Sequence, residues 1–244
     1  MFERKGRDYP TALAAGPEHG DRGLQDGLRW LVIQTREIGG SPLIYAPGRP
    51  QVDNNQLLSE FVNRTQVAVA TWRSPARGWP GGPVLAVWPT RDKLGEIADH
   101  PRTNALCVVP WTKGEVDAWA AATQPELLGP AVNSVTTGYL DPVVIAGLKT
   151  LTHLVNMGNN LAGSLDRRDA VAVLRTLKKG GYQLPPDPVY SWALANGWST
   201  RGAERLRTLA ADFEAGKSPQ LKGEYPLRAD ILDRWRQKAQ SSDE

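Results

Sequence analysis

The chain has 244 residues, 41% of them hydrophobic and 23% charged, with 29 Lys and Arg against 26 Asp and Glu for a formal charge of +3. That length serves one large domain or two small ones, and the composition is that of a folded globular protein rather than a disordered one. The single cysteine, Cys107, excludes an intrachain disulfide and points to a reducing, cytoplasmic setting. No stretch approaches the ~20 consecutive apolar residues of a membrane span, and no secretory pattern opens the chain, so no membrane partner is expected.

The small positive excess is unevenly placed. Residues 1–140 hold 14 basic and 14 acidic side chains, and residues 141–244 hold 15 and 12, so whatever attraction for an anionic partner the charge provides belongs to the second half. Nine tryptophans stand against three phenylalanines. An indole carries one N–H to satisfy, which places Trp where an apolar body meets a polar edge.

In chain order, residues 1–20 are polar and rich in Gly and Pro and read as a flexible leader. From Asp21, Leu24, Leu28, Leu31, Val32 and Ile38 recur near helical spacing, with Gly39-Gly40 as a stop. Four apolar runs follow, and each ends on an aromatic residue closely followed by a basic one. They are Leu43–Tyr45 before Arg49, Val67–Trp72 before Arg73, Val84–Trp88 before Arg91, and Ala105–Trp111 before Lys113. Helical spacing at Leu57, Leu58, Phe61 and Val62, a short helix over residues 90–97, and a helix capped by Thr112 and carrying Val116, Trp119 and Ala120 alternate with the runs. Nearly continuous apolar strands alternating with helices predict a sheet covered on both faces.

Between the second and third runs, residues 74–83 hold three prolines and three glycines and form a loop. Without a helix there, that pair of strands reads as an antiparallel hairpin. Only Tyr45, Arg49, Trp111 and Lys113 would then share a rim, and the other endings join them only if the proline-rich loop crosses over.

A Pro/Gly/Ser/Thr cluster over residues 124–138 marks a boundary, after which strand signals stop. Helices are expected from Asp141-Pro142, from Asp166 to Gly180-Gly181, from Asp187-Pro188 to Gly197, and from Ser199 to Gly216. A last amphipathic stretch carries Ile231, Leu232 and Trp235. The expected architecture is α/β plus α: a small, mostly parallel, Rossmann-like sheet of about four strands over residues 21–130, then an all-helical domain over 131–244.

The eight rim residues Tyr45, Arg49, Trp72, Arg73, Trp88, Arg91, Trp111 and Lys113 form a candidate ligand site, since basic side chains hold phosphate or carboxylate and aromatic faces take a planar group. No glycine motif of a dinucleotide or P-loop enzyme is present. His19, His100 and His153 are scattered, with His100 in a polar turn, and form no metal-ligand pair. Asp53 and the pair Asp92 and Glu96 are carboxylates without a distinguishing spacing. No catalytic residue, metal site or cofactor is assigned.

In the second half, residues 189–206 place Ala193 inside one helix, Gly197 at a turn, and Trp198 and Leu206 around it, the small and apolar residues that a helix–turn–helix needs. Asn196 stands where an apolar residue is usual. The segment resembles DNA-binding helix–turn–helix units, and its Trp192-Ala193 followed by Gly197 and Arg201-Gly202 is similar to the C-terminal domain of the Lsr2 family of nucleoid-associated proteins. In that family an Arg-Gly-Arg hook enters the minor groove; here Arg201-Gly202-Ala203 lacks the second arginine. Residues 166–217 more broadly resemble helical segments of uncharacterised actinobacterial proteins. If DNA is the partner, Arg167, Arg168, Lys178, Lys179, Arg201, Arg205 and Arg207 form the phosphate-facing surface.

Three functions remain open on this reading. The first is a non-enzymatic regulatory protein whose helical half binds nucleic acid and whose α/β half takes a ligand or partner. The second is an enzyme or receptor for an anionic small molecule or nucleotide at the strand rim. The third is a structural or interaction module. The oligomeric state is not legible.

Overall fold

A computed structural model describes residues 9–74, 76–112, 114–129, 138–221 and 223–241. The chain divides into two compact units, residues 1–136 and 137–244. Of the flexible leader expected over residues 1–20, residues 1–8 lie outside the described residues and the rest contains a strand. β1 (Thr11–Ala14) is inserted between two others and buries Ala12, Leu13 and Ala14.

The first unit continues with α1 (Arg22–Ile38), β2 (Leu43–Ala46), α2 (Arg49–Asp53), α3 (Gln56–Arg64), β3 (Ala68–Thr71), β4 (Gly82–Val87), α4 (Arg91–Ala98), β5 (Thr103–Val109), α5 (Asp117–Thr123) and β6 (Glu126–Leu128). The six strands form one sheet in the order β3-β2-β4-β5-β1-β6, and each neighbouring pair is parallel. The sheet therefore has six strands rather than about four. β3 and β4 are no hairpin, because both run parallel to β2, which lies between them. α5 starts at Asp117, not after Thr112, whose hydroxyl bonds Glu115 instead.

Strand alternation sorts the core. Ile44, Ala46, Leu85, Val87, Ala105, Cys107 and Val109 point to one face, where they pack with Leu24, Leu28 and Leu31 of α1, Val52 of α2 and Leu58 of α3. Gly27 lets α1 lie close on this face, since a Cβ there would stand 2.8 Å from a methyl of Leu85. Tyr45, the neighbour of Ile44, points to the opposite face and shares a cleft with Glu96 and Ile97 of α4. Crossovers toward β3 thus run over one face and the crossover from β4 to β5 over the other, the pattern that right-handed βαβ connections produce.

Ten residues separate β3 from β4, and those described among them, 72–74 and 76–81, hold no helix. They form a strap over the second face, fixed by buried Trp79. Its indole N–H donates to the Ser41 carbonyl at 2.7 Å, while Arg102 Nη1 donates to the Trp79 carbonyl at 2.6 Å. The strap enters β4 through Gly81 and Gly82, at φ +114° and +155°, and a Cβ on Gly82 would stand 2.5 Å from the Ser41 carbonyl oxygen.

The second unit, among its described residues, is helical: α6 (Pro142–Leu154), α7 (Ser164–Lys179), α8 (Pro186–Ala195), α9 (Thr200–Glu214) and α10 (Ile231–Gln240). α6 is its pivot. Trp235 of α10 donates its indole N–H to Thr150 Oγ1, and Trp198, before α9, donates to Thr152 Oγ1, each at 2.9 Å. Two residues along a helix are ~200° apart, so the two indoles grip opposite sides of α6. α7 begins at Ser164, ahead of the expected Asp166. That buried carboxylate instead accepts the Asn156 amide and Asn159 Nδ2 from the preceding turn.

Two substitutions test this packing. Gly82→Ala combines a strained φ with a backbone clash and is expected to lower the unfolding free energy by ~2–4 kcal/mol in a urea titration. Thr150→Val orphans the buried Trp235 N–H and is expected to cost ~1–3 kcal/mol. A loss below roughly 0.5 kcal/mol in either would contradict the corresponding contact.

Candidate functional site

Because the sheet is parallel throughout, the carboxyl ends of four consecutive strands, β3, β2, β4 and β5, stand on one rim. Neighbouring strands lie ~4.8 Å apart, so this rim is ~15 Å long. The chain leaves β2 toward β3 and leaves β4 toward β5, in opposite directions. The gap between the ends of β2 and β4 is therefore a topological switch point, where open α/β sheets bind ligands.

The rim brings some of the expected residues together. Trp88 directly follows β4 and sits in the left-handed region at φ +56°, a conformation costly for a bulky residue, while its amide donates to the Val109 carbonyl at 2.7 Å. This bend turns the indole against Trp111, with ring centroids 5.2 Å apart and planes at 76°, an edge-on pair. Trp111 is 54% exposed, so its ring is open to a ligand. Arg49 opens α2 and pairs with Asp53 at 2.8 Å in a solvated ion pair that contributes little to stability. Arg73 is exposed beyond β3, and Trp72 is half-buried with an indole N–H lacking a partner among the described residues. Arg91 opens α4, whose N-cap residue Thr90 makes no side-chain cap bond. Lys113 lies outside the described residues.

Tyr45 is not part of the rim. It is 3% exposed and lies on the sheet face beneath the strap, and its hydroxyl has no hydrogen-bond partner among the described residues. The cleft it enters, about 410 Å³, is also lined by Arg77, Glu96, Ile97, His100 and Arg102. Sequence reasoning treated His100 as a polar turn residue and Glu96 as undistinguished, and did not single out Arg77 or Arg102. Only the packing of the strap against α4 unites them.

In the helical unit, α8 and α9 are joined through Gly197 at φ +82°, and Ser199 Oγ accepts the Gly202 amide at 3.0 Å. Arg201-Gly202-Ala203 is the first turn of α9, with Gly202 and Ala203 buried and Arg201 exposed. Four of the seven expected phosphate contacts are held within the unit. Arg168 pairs with Asp169, Lys178 with Glu214, and Arg207 with Asp187 and Glu204, while Arg205 donates to the Asn160 carbonyl at 2.7 Å. Arg167, Lys179 and Arg201 are exposed.

Residues 140–236, within the helical unit, match a family described as a domain of unknown function (DUF1889). Comparison with curated proteins and with solved structures found no match. Among the described residues no helix is long and apolar enough to cross a membrane, and no group of three or more His, Cys, Asp or Glu is placed to hold a metal ion.

The Lys178–Glu214 pair makes a pH prediction. Burial opposes the charged form of Glu214 but is outweighed by the hydrogen bonds from Lys178 and the Leu184 amide, so its pKa is lowered. A depressed carboxylate stabilises the fold above its unfolded pKa of ~4.3, and that stability is lost as pH falls through the folded value. Glu214→Gln should therefore be less stable than the parent at neutral pH, with the gap closing on acidification below pH ~4 in thermal melts. A constant gap across pH would contradict the pairing.

Proposed function

We propose that the first unit is a receptor for a small anionic ligand bearing a planar group, of the nucleotide class, held at the carboxyl-end rim, and that the chain acts as a regulatory protein rather than an enzyme. The observation that carries this reading is the Trp88–Trp111 edge pair beside the β2/β4 switch point, with the Trp111 ring half in solvent. Base–aromatic stacking supplies ~1–3 kcal/mol. Arg49 and then Arg73 follow along the rim on the β2 side of the pair as charged donors, Arg49 once it leaves its solvated partner Asp53. A ~15 Å rim suits a mononucleotide better than a long polymer.

AMP and ATP titrated against intrinsic tryptophan fluorescence, with inorganic phosphate as control, test the proposal. Saturable quenching by the nucleotides is expected, and Trp111→Ala should weaken it about tenfold or more. Absence of any response, or an unchanged affinity in Trp111→Ala, would contradict it.

A second reading concerns the helical unit. The capped turn before α9 and the exposed Arg201 favour duplex DNA as a partner. Of the seven expected contacts, Arg167, Lys179 and Arg201 lie outside the intramolecular pairs described above, so about three phosphates would be neutralised by this surface. The log–log salt slope of binding is then expected near −3 and should shrink by about one in Arg201→Ala. Binding that ignores salt would contradict this reading.

A further inference from the structure

The cleft beneath the strap is separate from the rim. It lies on a sheet face, walled by α4 and the strap, rather than beyond the strand ends. We propose that it binds a small organic carboxylate, with the acid accepting hydrogen bonds from Tyr45 and the arginines and the remainder lying against Ile97 and the strap.

The buried hydroxyl of Tyr45 is the first ground. It is carried by β2, an interior strand of the sheet, and has no partner among the described residues, and Tyr45 lines a cavity large enough for a small molecule. Burial, then the charge of Glu96, raise its pKa, so it remains a neutral phenol and a donor at physiological pH.

Donor supply is the second ground. Arg77 and Arg102 line the same cleft, and Arg102 is held in place by its bond to the Trp79 carbonyl. The His100 ring packs on Trp79 with centroids 5.6 Å apart, and its Nδ1 accepts the Arg102 amide at 3.3 Å, which leaves the proton of the neutral ring on Nε2. Burial first, then Arg102, lower the His100 pKa against the pull of Glu96, so the ring is neutral near pH 7.

The one carboxylate in the lining, Glu96, is engaged by Lys93 at 2.7 Å. Set against Arg77 and Arg102, that pairing leaves the lining with an excess of positive charge and of donors. A ligand must therefore bring acceptors and negative charge. The fixed fork of an arginine favours a planar carboxylate, and Ile97, Ala76 and Pro101 give an apolar surface for its carbon skeleton.

The test uses the full chain with benzoate, phenylacetate and hexanoate as probes and their amides as neutral counterparts, followed by saturation-transfer NMR and calorimetry. At least one carboxylate is expected to bind, about tenfold or more tighter than its amide. Tyr45→Phe should fold with an unchanged or raised melting temperature, because it removes a hydroxyl without a partner, and should bind about tenfold more weakly. Arg77→Gln should also weaken binding. The proposal fails if no carboxylate binds, if acid and amide bind alike, or if Tyr45→Phe leaves affinity unchanged. A markedly lower melting temperature in Tyr45→Phe would show that the hydroxyl is already satisfied, and would overturn the proposal as well. The fluorescence response to nucleotides reads the rim independently of either variant.

Discussion

The handedness of strand crossovers governs the first unit. A right-twisted strand returns to a parallel neighbour by a right-handed path, so connections running one way along the sheet cover one face and those running back cover the other. α1, α2 and α3 accordingly share the face of Ile44, Leu85 and Cys107. The return from β3 to β4 is carried to the opposite face, where the described residues 76–80 form a strap in place of the usual helix. Two consequences follow from that one constraint. The carboxyl ends of β3, β2, β4 and β5 are gathered on a single rim, and the β2 face beneath the strap is left with a cleft instead of a helix.

A ten-residue strap is long enough for the task. It must pass one strand sideways, ~10 Å, and return along a short strand, ~15–20 Å, whereas ten extended residues reach ~33 Å. There is little slack, so the strap is pinned: Trp79 on Ser41, Arg102 on Trp79, and Gly82 packed against Ser41. In the helical unit the corresponding fixtures are two tryptophan–threonine bonds on opposite sides of α6. The high tryptophan count is in this way partly explained by anchoring, since Trp79, Trp198 and Trp235 each bury a large ring and direct one N–H to a named acceptor.

Much of the fold was legible from local pattern. β2, β3, β4 and β5 match the apolar runs, and α1 stops at Gly39-Gly40 as its spacing implies. β1 and β6 were not legible. Thr11-Ala12-Leu13-Ala14 and Glu126-Leu127-Leu128 are too short and too poor in β-branched residues to stand out, and their strand state comes from neighbours that offer a ladder. The hairpin expected from the missing helix failed because a connection's length sets its reach, not its direction. At the site, alternation puts Tyr45 opposite Ile44, but only packing tells which face receives α4. Trp88 and Trp111, 23 positions apart in the chain, meet only once β4 and β5 are in register.

The claim on which both sites depend is that β3 and β4 end on the same rim, flanking β2. Spin labels on cysteines introduced at Arg73 and Thr90 measure this most directly, since the native Cys107 is fully buried and escapes labelling in the folded protein. The account predicts strong dipolar broadening, with backbones ~10 Å apart, two strand spacings. Labels at opposite ends of the sheet, without that broadening, would contradict it.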